Sequence, residues 1–337
     1  AEQTGISKSA LGSYEVDEQG RLKIGGICED GLSWTLDFDG TLIITGDGEM
    51  EDYSTYNRPD WYSSRALVKK VVVEGNITHI GNYAFSGLEN MTEASIPETV
   101  TSLGNYAFWG CKQMNEFVIP AKVSEIGSYA FADCEALTEI AVPEGIKEIE
   151  RYTFSGCSGL EALTLPESLI EIGERAFSDC DGLTDIVIPQ KVEDIGNYAF
   201  AYCDGIETVT LQAESLRARN LGSYIFYESK TPGEIIVDKT VKVLYKYALS
   251  MMNPSETETK LTFRGENSFT YYDGSITIGG QALSEGDYMV DENGKLLRGG
   301  EVNEGVFWKL DGGILTIYGE GEMKNFSTTN YGRSPWY

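Results

Sequence analysis

The sequence has little positive charge and no long apolar run, and both shortages narrow the functions to consider. It carries 53 acidic against 26 basic side chains, for a formal net charge of −27. Such an acidic chain is repelled by the phosphates of nucleic acids and by anionic lipids, so neither is an expected partner. No apolar stretch approaches the roughly 18 residues of a membrane-spanning helix, so membrane insertion is not expected either. The charge instead favours solubility and basic partners.

Histidine is nearly absent, which limits the chemistry available to an enzyme. A Ser-His-Asp or Cys-His site must use His79, the only histidine in the chain. Other copies of the repeat described below hold a serine or an acid at this position, so we predict His79 to be a polar surface residue. The sequence also lacks the C-x-x-C spacing of zinc sites, a calcium loop and a P-loop. We therefore predict no enzymatic activity, no cofactor and no metal site.

The dominant feature that is present is a 23-residue repeat. A phenylalanine recurs with this period at Phe85, Phe108, Phe131, Phe154, Phe177 and Phe200. A proline recurs with the same period at Pro97, Pro120, Pro143, Pro166 and Pro189. Segments such as LTEIAVP, LEALTLP and LTDIVIP have the apolar spacing of a leucine-rich repeat, whose period is about 20–29 residues.

Each copy has only about six or seven apolar side chains, too few to offset its own ordering entropy, so the copies must stack. In LTEIAVP, strand alternation predicts that Leu137, Ile140 and Val142 point inward while Glu139 and Ala141 point outward. The YAFADC segment is predicted to form a short helical turn. The predicted fold is mainly β with short helical turns: a right-handed leucine-rich-repeat solenoid of about nine stacked strands with a β-hairpin N-terminal cap.

The flanks of the repeats are two copies of one module. YEVDEQGRLKIGGICEDGLSWTLD near the N-terminus matches YMVDENGKLLRGGEVNEGVFWKLD near the C-terminus, and Trp34 aligns with Trp308. WTLDFDGTLIITG predicts a hairpin around Asp39-Gly40. The predicted domains are an N-terminal cap module at 1–67, the solenoid at 68–265, and a C-terminal segment at 266–337 that contains the second copy. Because that copy ends where an array begins in the first, we expect a further array beyond it.

Five of the six cysteines share one repeat column: Cys111, Cys134, Cys157, Cys180 and Cys203. Stacked rungs would bring their Cα atoms within disulfide range. Five stacked cysteines cannot pair completely, however, and a thiol suits a small apolar core position. We predict free, buried thiols.

A tyrosine column is the first candidate binding surface. It runs through Tyr83, Tyr106, Tyr129, Tyr152 and Tyr198, and Arg175 interrupts it. Tyrosine rings offer a large contact area at small entropic cost, as binding surfaces require. Alternatively, the rings pack against neighbouring rungs and only stabilise the stack.

An acidic column is the second candidate. It consists of Glu93, Glu116, Glu139 and Asp185, on the outward and concave face of the strands. This column predicts either an anionic trough for a basic protein surface or a solvated sheet face whose charges prevent aggregation.

The consensus V-x-x-I-G-x-Y-A-F-x-x-C-x-x-L-T-x-I-x-I-P resembles the BspA-like leucine-rich repeat surface proteins of bacteria. The resemblance covers roughly residues 68–250 and weakens after Ile206, where AESLRARN adds three residues to the period. It implies a non-catalytic protein that is secreted or attached to the cell surface, some relatives of which adhere to host matrix proteins or to other bacteria. It carries over no individual binding residues.

The function we predict is an extracellular recognition or adhesion scaffold that binds protein partners, either host matrix proteins or other bacterial surface proteins, through its repeat faces. A structural spacer within a larger surface protein is the alternative. Carbohydrate binding is a third possibility, in which Trp109 and the tyrosine column would stack on sugar rings.

Overall fold

The computed structural model of the chain describes residues 13–16, 22–28, 31–214, 224–245, 248–249, 258–265, 267–278, 281–291, 295–303, 306–311 and 314–319. Most of the AESLRARN insertion, from residue 215 onward, lies outside the described residues, as does the end of the second module from residue 320.

The N-terminal module is an antiparallel meander of four strands. They are β1 (Ser13–Val16), β2 (Leu22–Ile27), β3 (Ser33–Leu36) and β4 (Thr41–Glu49). In the turn between β3 and β4, the Asp37 carboxylate accepts hydrogen bonds from the backbone N–H groups of Asp39 and Thr41 at 3.0 and 2.9 Å. Gly40 adopts a left-handed φ of 91° in the same turn. The hairpin predicted around Asp39-Gly40 is therefore confirmed.

A 3₁₀ helix at Asp60–Leu67 joins this module to the repeats. Its Trp61 side chain is buried, stacks on Phe85 at 6.1 Å between ring centroids, and meets Trp34 edge-on at 6.2 Å. The Trp61 indole N–H donates to the Ala84 carbonyl at 2.9 Å. The helix thus closes the apolar end of the first repeat, which a solenoid must cover.

The repeats contain fourteen further strands in the described residues, β5 to β18. In chain order they are Lys70–Ile80, Glu93–Ser95, Ser102–Leu103, Glu125–Ile126, Glu139–Ala141, Glu148–Ile149, Ala162–Thr164, Glu171–Ile172, Asp185–Ile188, Asp194–Ile195, Thr208–Leu211, Glu234–Asp238, Val243–Tyr245 and Lys260–Arg264.

These strands form two ladders of parallel rungs. The first ladder follows the start of β5, β6, a single bridge at Glu116, then β9, β11, β13, β15, β16 and β18. Its pairing falls into three groups: β5 with β6 and Glu116, β9 with β11, and β13 with β15, β16 and β18. Its nine rungs, with eight turns of chain between them, confirm the predicted solenoid and its number of strands. The second ladder follows the end of β5, β7, β8, β10, β12 and β14, paired in two groups, β5 with β7 and β8, and β10 with β12 and β14. Strand β4 pairs with β5 in parallel along both ladders, so the N-terminal module continues both sheets.

The third side of the solenoid consists of the Tyr-Ala-Phe segments, which form turns rather than regular helix. The Ala130 N–H donates to the Gly127 carbonyl at 3.2 Å, and the Ala132 N–H donates to the Tyr129 carbonyl at 3.2 Å. The backbone N–H of Phe131, which lies between Ala130 and Ala132, donates instead to the Thr153 carbonyl of the next rung at 2.8 Å. The predicted short helical turn is therefore two successive β-turns that hydrogen-bond to the adjacent copy.

The core is a continuous spine of phenylalanine rings. Adjacent centroids lie 5.2–5.4 Å apart along Phe85, Phe108, Phe131, Phe154, Phe177, Phe200 and Phe226. The predicted inward column is thus confirmed. Phe226 follows Phe200 by 26 residues and still stacks on it, so the insertion leaves the spine intact.

The C-terminal strands are β19 (Asn267–Ile278), β20 (Gln281–Val290), β21 (Leu296–Asn303), β22 (Val306–Asp311) and β23 (Ile314–Gly319). Strand β19 pairs in parallel with β17 and antiparallel with β20. Strands β20 to β23 form a second antiparallel meander, as β1 to β4 do in the first module.

Candidate interaction surface

The predicted acidic column lies on the outer face of the first ladder. All four carboxylates are exposed, one to a rung: Glu93, Glu116, Glu139 and Asp185. Glu93 is ion-paired with Lys70, and Asp185 accepts a hydrogen bond from the Thr184 hydroxyl at 2.9 Å. Within the described part of the chain, Glu116 and Glu139 have no side-chain hydrogen bond or ion pair. At least half of the column is therefore open to an external cation.

Apolar side chains alternate with the acids on the same face. Val118 is 80% exposed and Val187 is 44% exposed, although both are β-branched residues that usually pack. The face thus combines unpaired carboxylates with apolar contact points, and this composition suits a basic segment that also carries aliphatic groups.

The tyrosine column forms a stack of parallel rings. Tyr83, Tyr106, Tyr129 and Tyr152 lie 4.5–4.6 Å apart between successive ring centroids, with interplanar angles of 8–9°. Both faces of the central rings are covered by neighbouring rings. This geometry favours the structural alternative, and participation of the tyrosines in partner binding stays a prediction.

Arginines complete the tyrosine stack. The Arg175 guanidinium, which interrupts the column in sequence, lies 5.9 Å from the Tyr152 ring centroid and 4.6 Å from that of Tyr198. The Arg58 guanidinium lies 5.3 Å from the Tyr83 centroid at the other end. Cation–π contacts therefore continue the stack where a ring is missing and cover its first ring.

The second ladder carries a trough that sequence reasoning did not predict as a binding surface. The trough has a volume of about 690 Å³, and its lining includes Asp52, His79, Ser102, Glu125, Glu148 and Glu150. One column of the repeat supplies four acids in succession along this ladder: Glu125, Glu148, Glu171 and Asp194. The sequence shows that this column is polar. It does not show the trough, because Asp52, which lines one end of it, belongs to the N-terminal module and not to the repeat.

The acids of this column repel one another. The pKa of Glu148 lies above its ordinary value. Partial burial removes solvation from its carboxylate, and the nearby negative charges of Glu150 and Glu171 disfavour the ionised form further. A cation in the trough would relieve this repulsion.

Three trough residues have the types of a catalytic triad without its arrangement. The His79 Nδ1 lies 2.7 Å from the Ser102 hydroxyl, and its Nε2 lies 3.3 Å from the Asp52 carboxylate. In a hydrolase triad the carboxylate is buried and bonded to Nδ1. Here the Asp52 side chain is 59% exposed, bonds to Nε2, and also accepts the Asn82 N–H at 2.8 Å. The arrangement joins the cap to the first two rungs, and it makes the His79 side chain, which is 22% exposed, less of a surface residue than predicted.

The cysteine column is buried and free of disulfides, as predicted. Each repeat thiol donates to a phenylalanine carbonyl, as Cys157 does to Phe131 at 3.2 Å and Cys203 does to Phe177 at 3.1 Å. Burial raises the pKa of Cys203 to about 12. The thiols are therefore buried core groups rather than exposed nucleophiles.

The described residues include no group of three or more histidine, cysteine or acidic side chains that could hold a metal ion. In the same part of the chain, no helix combines the length and the apolar character needed to cross a membrane.

The repeats match the family model of the BspA type leucine rich repeat region, with matched segments 60–183, 124–255 and 171–277. These segments overlap and together span residues 60–277, more than half of the chain. The chain belongs to the BspA-type leucine-rich repeat family. The family resemblance drawn from the consensus is thereby confirmed, and the chain is a leucine-rich repeat scaffold.

The solved structures that match the chain include several bacterial leucine-rich repeat proteins. One from T. pallidum is 20% identical, with 59% of this chain and 90% of that chain covered and a TM-score of 0.42. One from Bacteroides ovatus is 21% identical, covering 69% and 76% of the two chains with a TM-score of 0.39. A leucine-rich cell surface protein from Faecalibacterium prausnitzii is 18% identical, covering 72% and 95% with a TM-score of 0.37. No curated protein matches the sequence significantly.

Proposed function

We propose that this BspA-type repeat protein is a non-enzymatic recognition scaffold of the bacterial surface that binds a basic protein segment along its acidic ladder faces. The supporting observation is the succession of exposed carboxylates on both ladders, of which Glu116 and Glu139 have no side-chain partner in the described residues. Rungs about 4.8 Å apart present these charges in a regular row, which an extended lysine- or arginine-rich segment can follow.

A surface location for the chain is part of this proposal. The family supports it, because BspA-like proteins act outside the cell, and the similar Faecalibacterium prausnitzii protein is a cell surface protein. A host matrix protein or another bacterial surface protein is the proposed partner.

The structural spacer is the second candidate, and the tyrosine stack favours it. Tyr106 and Tyr129 each have both ring faces covered by neighbouring tyrosine rings, as expected for a rod that needs no ligand. Carbohydrate binding has weaker support, because the ring faces that a sugar would stack on are occupied. The Trp109 indole N–H also donates to Asp133 at 2.9 Å.

Charge-neutralising variants of the two ladders separate recognition from spacing. In one variant Glu93, Glu116 and Glu139 become Gln, and in another Glu125, Glu148 and Glu171 become Gln. A matched control changes three exposed acids outside both columns, Glu89, Glu161 and Glu207, to Gln. All three variants have the same net charge, so a difference between them reports position rather than overall charge.

Binding is measured by calorimetry with a lysine decapeptide as probe, and by surface capture on purified basic matrix proteins. With about 0.2–1 kcal/mol for each exposed charge pair, loss of one ladder weakens binding at least about threefold, while the control remains near wild type. The effect shrinks as salt rises from about 0.02 to about 0.15 M because exposed charges are screened. Equal weakening by all three variants, or no binding by the wild type, would refute the recognition scaffold and leave the spacer.

A further inference from the structure

The second module reproduces the first in strand register, and among the described residues its last strand, β23, has one unpaired edge. In the first module, Trp34 lies opposite Ile44, and Leu36 lies opposite Leu42. In the second, Trp308 lies opposite Ile317, and Leu310 lies opposite Leu315. The same residue pairs recur in both meanders, so these positions of the first module have direct counterparts in the second.

The first module shows what covers this edge. Strand β5, the first strand of the repeats, pairs in parallel with β4 and places Val71 opposite Leu42 and Val73 opposite Ile44. Leu42 and Ile44 are then 0% exposed, and Leu36 is 2% exposed. The contact between β4 and β5 is therefore the interface by which this module holds a repeat array.

The counterparts in the second module are not covered. Leu315 and Ile317 are 40% exposed and Leu310 is 39% exposed. In the described part of the chain, β23 is the last strand of its sheet and pairs only with β22. An apolar strand with an open edge recruits another strand, and natural proteins normally cover or charge such an edge.

We propose that the edge of β23 is a docking site for the first rung of a leucine-rich repeat array, which pairs with it in parallel as β5 pairs with β4. The occupant carries alternating β-branched residues facing the core, in the manner of Val71 and Val73. The N-terminal rung of this chain cannot be the occupant in a second copy, because its own β4 already covers it. The module thus acts as a connector between successive arrays, and this inference is independent of the proposed recognition function.

The test is the full chain extended after Tyr337 by a second copy of residues 63–290. This addition supplies the segment that follows Tyr62 in the first module, because Tyr337 aligns with Tyr62. Residues 291–319 remain unique, so hydrogen exchange of Ile314–Gly319 can be followed by mass spectrometry. We expect exchange in this strand to slow at least about tenfold relative to the unextended chain, because its open edge gains hydrogen-bond partners.

Two substitutions on neighbouring residues of β23 provide the matched comparison. Leu315→Asp places a charge at the position equivalent to buried Leu42, and Thr316→Asp places one at the position equivalent to Ile43, on the other face of the strand. Leu315→Asp should abolish the protection, and Thr316→Asp should preserve it. Both positions are exposed in the unextended chain, so the spectra of both variants should remain native there.

Unchanged exchange in the extended chain would overturn the proposal. So would equal protection in the Leu315→Asp and Thr316→Asp variants. Light scattering of the unextended chain adds a third criterion: a dimer with a protected β23 would mean that a second copy, and not a repeat array, occupies the edge.

Discussion

Tyr129 allows the energy of the tyrosine stack to be measured, because its backbone conformation costs free energy while its side chain contributes favourable stacking. Its φ of 59° lies in the left-handed region, where an L-residue other than glycine pays about 1–2 kcal/mol. Its ring stacks on Tyr106 at 4.6 Å and on Tyr152 at 4.5 Å. Each stacked pair contributes about 0.5–1.5 kcal/mol beyond area burial, so the two pairs together contribute about 1–3 kcal/mol. This contribution is comparable to the backbone cost and can offset it.

Tyr129→Ala removes both stacked pairs and keeps the backbone cost, so the free energy of unfolding should fall by about 1–3 kcal/mol. Tyr129→Gly also removes both pairs but relieves the left-handed strain, against a loss of about 0.5–1 kcal/mol from greater backbone freedom. The glycine variant should therefore be more stable than the alanine variant by up to about 1.5 kcal/mol. This order is the reverse of the usual one.

The assay is guanidinium unfolding of both variants, followed by far-ultraviolet circular dichroism. The control is the pair Val118→Ala and Val118→Gly. Val118 is exposed and does not have a left-handed φ, so alanine should be more stable than glycine there, as is usual. If alanine is preferred at both positions, the left-handed strain is not what the stack offsets. If Tyr129→Ala has wild-type stability, the stacking contribution is wrong.

Three further predictions concern the core, the trough and the thiols. Phe131→Ala should lower the free energy of unfolding by about 3–5 kcal/mol, as for other buried aromatic residues, and by more than Phe226→Ala at the end of the spine; an unchanged unfolding midpoint would contradict the buried stack. Glu148→Gln should raise the free energy of unfolding by about 0.2–1 kcal/mol at neutral pH, because it removes a like charge opposite Glu171. Folding raises the pKa of Glu148 above the ordinary value of 4.5. The advantage of the Gln variant should therefore vanish as the pH falls below 4.5, where Glu148 of the wild type is protonated in both the folded and the unfolded state. A stability gain that persists in acid would mean that charge is not the cause. Cys157 and the other repeat thiols should react with Ellman's reagent only after unfolding, and rapid labelling of the native chain would contradict their burial.

The period of the sequence predicts most of the fold because each repeated column has a single physical role. Phe131 and Cys157 recur at fixed spacing, so stacking places them in one spine, and the alternation around Ile140 determines which side of each strand faces that spine. These conclusions need no knowledge of how the chain turns between rungs, and for this reason they agree with the structure.

The turns themselves could not be read from the pattern. Tyr129 is an unusual residue for a left-handed position, and YAFADC has no glycine, so a short helix was the natural prediction. The conformation is imposed by hydrogen bonds to the next rung, in which the Tyr129 N–H reaches Arg151 at 3.2 Å and the Phe131 N–H reaches Thr153 at 2.8 Å. Contacts between copies override the local preference, and a single copy contains no sign of them.

The trough was missed for a related reason, since one of its walls lies outside the repeat. Asp52 belongs to the N-terminal module, and the 23-residue period says nothing about where that module meets His79. The acidic column of the second ladder was visible in sequence, but its enclosure beside the cap depends on β4 continuing both sheets.

The second acidic column bears on the choice between recognition and spacing. Glu148 lies directly opposite Glu171, and Glu171 lies directly opposite Asp194, so neighbouring like charges oppose the fold by about 0.2–1 kcal/mol for each pair. Ser102 occupies the same column in an earlier rung, so a neutral side chain fits the position and the carboxylates are not required by packing. For a spacer this row of charges supplies only solubility and resistance to aggregation, which a chain of net charge −27 has without it. A surface that binds cations, in contrast, recovers the cost when the partner is bound. The placement of destabilising carboxylates where neutral residues would fit therefore favours recognition through the second ladder.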